Sequence, residues 1–518
     1  KLRPAGASRV FPVVVACLAK VIYIACGPLL DRKNARRSEH ARINQRFPRF
    51  PRPVVETWRG YISPCRRAII GLQNNPRKKT MSEQLQEVPF WLKDNFAPVF
   101  EEVTETNLKV TGSIPRELNG RLLRNGANPQ SGHSAHWFLG NGMLHGVEIR
   151  DGNANWYRNR YVKTPLFLDP NADVMSSLTD MKMSSANTHV IHHAGKIMAL
   201  EEGHWPFVVS DELETIGPHN FDGKLEGPMT AHPKTCGETG ELLSFGYSVS
   251  EPYLTYHRTS AEGEMLQVEP ITVKGATMIH DFNITRNHVV FMDLPVVWDL
   301  EGLKSSGLPV VWDESYGARL GVMPRNGTDA DVTWYEINPC YVFHPLNAYE
   351  EGNRIVVDVC RMENAMKPGA NSPPMLYRWV IDQEAGTVSE TQLDDRVVDF
   401  TRVCDTVVGL KNRYGYAAAF APRLPVAEGF MKYDLDRGSS EFHDLHGGQG
   451  SEAVFVKDPN GQAEDDGWVL SYVYRPEENK SEVVIVDARS FDQEPVARIH
   501  LPVRVPAGFH GNWVPDGY

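Results

Sequence analysis

The chain has 518 residues, 41% of them hydrophobic and 23% charged, which excludes intrinsic disorder and allows a large buried core. Its net charge of −11 is unevenly spread: residues 1–80 hold 18 Lys+Arg against 3 Asp+Glu, and the remainder holds 36 against 62. So acidic a body argues against nucleic acid as a partner.

In chain order, the basic segment comes first. It carries the apolar run "VFPVVVACLAKVIYIACGPLL" from Val10 to Leu30, interrupted by Lys20. Three readings stand: upstream sequence translated in frame, a cleaved targeting segment, or a functional basic arm. The first is favoured, because Met81 is the first methionine and opens "MSEQLQEVPFWLKDNFAPVFEEV". We therefore expect residues 1–80 to be an extension outside the fold and residues 81–518 to be the folded body. Organelle targeting by residues 1–80 stays open.

Four scattered cysteines in the body (Cys236, Cys340, Cys360 and Cys404) show no CxxC spacing. They point to neither a disulfide framework nor a zinc knuckle, and suit a reducing compartment such as the cytoplasm.

From residue 142 onward the local pattern is strand, tight turn, strand. "HGVEIRDGNANWYRNRYV" turns at Asp151-Gly152 and "YLTYHRTSAEGEMLQVEPITV" at Glu262-Gly263. "PMLYRWVIDQEAGTVSETQL" turns at Ala385-Gly386, and "GWVLSYVYRPEENKSEVVIVDA" between Pro476 and Lys480. Alternating Val, Ile, Tyr and Trp around such turns is a hairpin signal. "SPPMLYRWV" and parts of 170–190 are candidate short helices, and the echo of "PVVWD" at Pro295 and Pro309 is read as coincidence or a local loop feature. Hairpins at this density predict an all-β body, and about 440 residues suit a propeller of six to eight blades.

Four of the 18 histidines stand in unusual company: His232 in "GPMTAHPKT", His280 in "GATMIHDFNIT", His344 in "NPCYVFHPLNAYEEGN" and His510 in "VPAGFHGNW". Each sits at an apolar strand with a turn or small residue nearby. Taken singly, each is more simply a satisfied core histidine. Separations of 48, 64 and 166 residues cannot build a helix-borne metal site, but a closed ring of blades can bring such positions to one axial point. Neutral imidazoles suit Fe(II), Zn(II) or copper, and spacing does not choose among them.

At this point the body resembles the carotenoid cleavage oxygenases, a family that includes carotenoid and apocarotenoid dioxygenases, lignostilbene dioxygenases and the retinoid isomerohydrolase. The resemblance runs from about Phe90 to Trp513. It rests on "IPRELNGRLLRNGANP", "HWFLGNGMLHGVEIRDG", "AHPK…TGEL", "MIHDFNIT…FMDLP", "FHPLNAYEEG", "SEAVFV" and "VPAGFHGNW".

The resemblance implies a seven-bladed β-propeller capped by a lid of loops and short helices, with one Fe2+ on the axis held by His232, His280, His344 and His510. It implies carboxylates that orient three of these rings: Glu202, Glu452 and, where relatives carry Glu, Asp399. It also points to Tyr161 and Phe138 as substrate contacts and to an apolar tunnel; Gly203 to Val209 is a candidate for its wall or a membrane-facing lip, although apolar loop segments more often just pack. The expected activity is O2-dependent cleavage of one C=C bond of a carotenoid or apocarotenoid into two carbonyl products. A stilbene is the alternative substrate, disfavoured because Glu201 stands where the stilbene-cleaving branch carries lysine. Retinyl-ester isomerohydrolase chemistry and a non-catalytic propeller are weaker readings. A hydrophobic polyene or aromatic alkene and O2 would be the partners, with peripheral membrane contact left open. Asn141 replaces an Asp common in relatives, with no physical account of its effect.

Overall fold

The computed structural model describes residues 88–518, apart from 135, 170–171, 173–179, 300–308, 366–371 and 421–425. The basic extension thus lies outside the described residues. Among them, the body consists of seven antiparallel sheets of four or five strands, plus one two-stranded hairpin. This is a seven-bladed β-propeller.

Turn chemistry accounts for the hairpins. Asp151 and Gly152 both have positive φ (52° and 78°), the conformation that a two-residue turn between right-twisted strands requires. They join Gly142–Arg150 to Asn153–Tyr161. Hairpins form at the other three expected turns as well.

One expectation is corrected and another is narrowed. Met375–Asp382 is a strand rather than a short helix: its alternating burial fits one buried face of a sheet, and it is paired on both sides. Of the two readings of the repeated "PVVWD", the local feature holds: Val296–Trp298 pairs antiparallel with Val310–Trp312 as a two-stranded sheet inserted into the fourth blade.

The blades bury their faces against one another, as flat sheets with two apolar faces must. Each pair of neighbours has its own apolar cluster. Leu123, Leu144, Val190 and Phe207 lie between the first and second blades, and Val147, Tyr157, Leu470 and Ile485 between the seventh and the first. The chain termini close that last junction twice. Lys109–Gly112 pairs with Ala497–His500 as the outermost strand of the seventh blade, and Gly511–Pro515 pairs with Gly120–Arg124 as the innermost strand of the first. The four body cysteines are free and buried. No described helix is long and apolar enough to cross a membrane.

Short helices at Phe90–Leu92 and Asp94–Phe96 pack against Trp137. Phe96 lies against Trp137, and Trp137 against Phe509, with ring centroids 5.4 and 5.1 Å apart.

Candidate metal centre

Each blade presents one polar residue near the start of its innermost strand. In chain order these are His189, His232, His280, His344, Asp399, Glu452 and His510. Residues 43 to 64 apart in sequence therefore meet on the axis, because each blade restarts its path from the centre outward.

Four of them, His232, His280, His344 and His510, bring ring nitrogens within 4.8 Å of one another. All four are buried or nearly so, and the Nε2 atoms of His280 and His344 are 3.2 Å apart. Three rings have their Nδ1 atoms against carboxylates: His280 with Glu202, His344 with Asp399 at 2.8 Å, and His510 with Glu452 at 3.2 Å. An ionised carboxylate only accepts, so the hydrogen-bonded Nδ1 atoms of His344 and His510 carry the proton and their Nε2 atoms keep the lone pair, while Glu202 lies in ion-pair contact with His280. The Nε2 of His232 is buried with no partner. Several lone pairs facing one another without a donor repel unless a cation lies between them, so the donor set fits a metal ion.

Burial, then the neighbouring imidazoles, hold His232 and His510 well below 6.5, so both stay neutral. Burial pushes His344 the same way, but the neighbouring carboxylates, Asp399 first and then Asp281 and Glu452, together outweigh it and raise this group. Asp399 thus reaches its histidine directly although it is one methylene shorter than glutamate. It does so from a bulged strand: the register with Tyr414–Phe420 shifts after Asp399, and Phe400 adopts φ +52°. The Phe400 ring lies 5.0 Å from both His344 and His510.

The other expected residues fall in different places. Phe138 lies 5.4 Å from Phe509, beside the fourth histidine. The Tyr161 hydroxyl donates to the Val99 carbonyl (3.1 Å) and accepts from the Asn128 amide (2.6 Å), bonds that tie the N-terminal segment to the first blade. Phe207–Val209 is a blade strand with Phe207 and Val209 buried in the core, not an exposed lip, because it pairs on both sides. Asn141 accepts from the Gln130 amide through Oδ1 (3.1 Å), a loop contact.

Sequence reasoning missed several residues. Tyr247 donates to Glu202 at 2.5 Å and so fixes the carboxylate that holds His280. His189 donates from Nδ1 to the carbonyl of Ala231 (2.8 Å), just before His232. Nothing local marks either one; the equivalent position in each blade marks His189 once the blades are aligned.

The family model described as "Retinal pigment epithelial membrane protein" matches residues 96–515. A carotenoid cleavage oxygenase of Mycobacterium tuberculosis is 37% identical over 490 residues, covering 82% of this chain and 97% of that protein. The chain belongs to this family, the carotenoid cleavage oxygenases.

Among other members of the family, a carotenoid 9,10(9',10')-cleavage dioxygenase of Crocus sativus is 34% identical, over 87% of this chain and 96% of its own. The solved structure of Pseudomonas brassicacearum lignostilbene dioxygenase superposes with a TM-score of 0.76 at 28% identity, over 83% of this chain and all of that one. Cobalt-substituted Synechocystis ACO gives 0.73 at 26% identity, covering 82% and 98%. As a carotenoid cleavage oxygenase, the chain has its four clustered histidines at the blade ends where the propeller axis gathers them.

Proposed function

We propose that this chain is a non-haem Fe(II) dioxygenase that cleaves one C=C bond of a carotenoid or apocarotenoid with O2, giving two carbonyl products. The observation that carries this is the convergence of His232, His280, His344 and His510 with their nitrogens within 4.8 Å. These four residues would hold the metal, and Fe(II) bound there supplies the oxygen chemistry.

The protein's own part is orientation and exclusion of water. Asp399 and Glu452 hold the rings of His344 and His510 by hydrogen bonds that keep Nε2 available, and Glu202 lies against the third ring, His280. Phe343, 5.0 Å from His280, and Phe400, packed on His344 and His510, give the centre an apolar rim. Trp137, Phe420 and Phe509 continue that rim around a small cavity shared with Phe400. A polyene binds such a surface by dispersion and by release of water.

Glu201 favours the polyene over a stilbene. Its carboxylate is bonded to the His204 ring, and although burial would raise it, His204 holds it below the usual range. Paired with His204, it offers no cation to anchor a phenolate, where a lysine would.

Purified with Fe(II), the chain should consume O2 in step with bleaching of a β-apo-carotenal and appearance of aldehyde, faster than with resveratrol. Faster turnover of resveratrol would select the stilbene reading. Iron bound without O2 uptake, but with ester cleavage, would select isomerohydrolase chemistry.

Asp399 is open to a direct test. Asp399→Asn keeps the size of the side chain but removes its charge, and should accelerate metal loss to a chelator by about 10- to 100-fold. An unchanged release rate would show that the charge on Asp399 is not used.

A further inference from the structure

His232 is the one member of the four without a carboxylate at hydrogen-bond distance from Nδ1. The atom nearest to filling that role is Oδ2 of Asp281, 3.7 Å away. Asp281 is 2% exposed, and an ionised carboxylate so deeply buried needs partners. It has two. Lys234 Nζ lies 2.8 Å from Oδ1 and 2.9 Å from Oδ2, and the Phe282 amide donates to Oδ1 at 2.7 Å. Lys234 thus reaches both oxygens and the Phe282 amide only Oδ1, so Oδ2, with the one donor, keeps a lone pair and faces His232.

The chain path explains the placement. Asp281 directly follows His280, and neighbouring residues in an extended segment point to opposite sides. As His280 turns to the axis, Asp281 turns to the third blade, which carries both His232 and Lys234. One dipeptide serves two adjacent imidazoles. His232, Lys234 and Asp281 also line a common chamber of about 190 Å³, which leaves open space beside the lysine and the carboxylate. Closing the gap to a hydrogen bond takes a shift of under about 1 Å.

We propose that Asp281, held by Lys234, is the positioning carboxylate of His232 and completes a set in which every imidazole of the cluster has its own acid. This rests on the reading of the four histidines as metal ligands. In this arrangement Asp281 fixes the ring orientation and tautomer of His232 and raises its basicity toward the metal, as carboxylates do for metal-bound histidines.

The test uses the full chain loaded with Co(II), and compares wild type, Asp281→Asn and the charge-balanced double variant Asp281→Asn/Lys234→Met. The single variant leaves Lys234 unpaired and can lose stability for that reason alone; the double variant does not. Both should release cobalt to a chelator about 10- to 100-fold faster than wild type. Both should also shift the visible d–d absorption of the bound ion, which reports ligand geometry rather than fold stability. A double variant with the release rate and spectrum of wild type would overturn the inference, since Asp281 would then only balance Lys234. A wild-type chain that takes up no cobalt would overturn the metal-ligand reading together with this one.

Discussion

A chain ending at Gly508 should take up no metal and should unfold far more easily than the intact protein. Deleting Phe509–Tyr518 removes His510 and, with it, the innermost strand of the first blade. That strand forms five register pairs with Gly120–Arg124 and connects the first blade to its neighbours on both sides. Trp513 belongs to the cluster between the seventh and first blades, and Val514 to the one between the first and second. Burial of a large apolar side chain is worth about 1.5–3 kcal/mol. Phe509, Trp513 and Val514, all buried, together account for roughly 5–9 kcal/mol by the same measure. That is comparable to the whole stability of an ordinary domain, about 5–15 kcal/mol.

His510→Ala separates the two effects. It keeps the strand and costs mainly the His510–Glu452 bond, about 1–3 kcal/mol, so the metal-free protein should melt well above the truncated chain, while metal content falls from one per chain toward zero. Metal analysis with circular-dichroism melting reads both quantities. A truncated chain that held its metal with wild-type affinity would refute the assignment of His510.

The second large effect is acid lability of the metal-free protein. Burial pushes His145 and His189 down to about 3 and His257 to about 4. His232 and His510 are also held well below 6.5. These groups stay neutral in the native state while the unfolded chain takes up protons near 6.5. Stability is therefore unaffected above about pH 7 and falls as the pH drops below 6.5, because the unfolded state binds more protons.

At pH 5 each such histidine costs about 2 kcal/mol, so His145, His189 and His257 together cost about 6 kcal/mol. His344 acts in the opposite sense. It contributes stability that is fully present below 6.5 and is lost only as the pH rises through its raised native-state value, and this offsets part of the loss. Urea unfolding midpoints at pH 7.5, 6 and 5 measure the balance. His257→Gln, far from the axial cluster, should flatten the dependence by about one group. A midpoint unchanged down to pH 5 would contradict the buried-neutral assignment. With metal bound the same decline should begin with metal release, since protons compete for the four nitrogens.

Much of this protein was legible before its structure. Hairpins follow from alternation and from turn residues such as Asp151-Gly152, which act over a few positions and need no distant partner. The four histidines stood out by their strand-end settings, and the family resemblance ordered them, with Glu202, Asp399 and Glu452, into one site.

Ring closure decided the rest. The twin "PVVWD" segments proved to be paired strands, and Met375–Asp382 proved to be a strand because a sheet partner lies on each side of it. The direct reach of Asp399 depends on a bulge set by the neighbouring strand. Tyr247, His189 and the Lys234–Asp281 pair have no local signature, because their partners come from other turns of the chain. The sequence by itself determined the strands, the turns and the residue types available for a metal. Only the tertiary structure decided which acid meets which imidazole: alternation is written between adjacent residues, whereas convergence on an axis exists only once seven blades have packed into a closed ring.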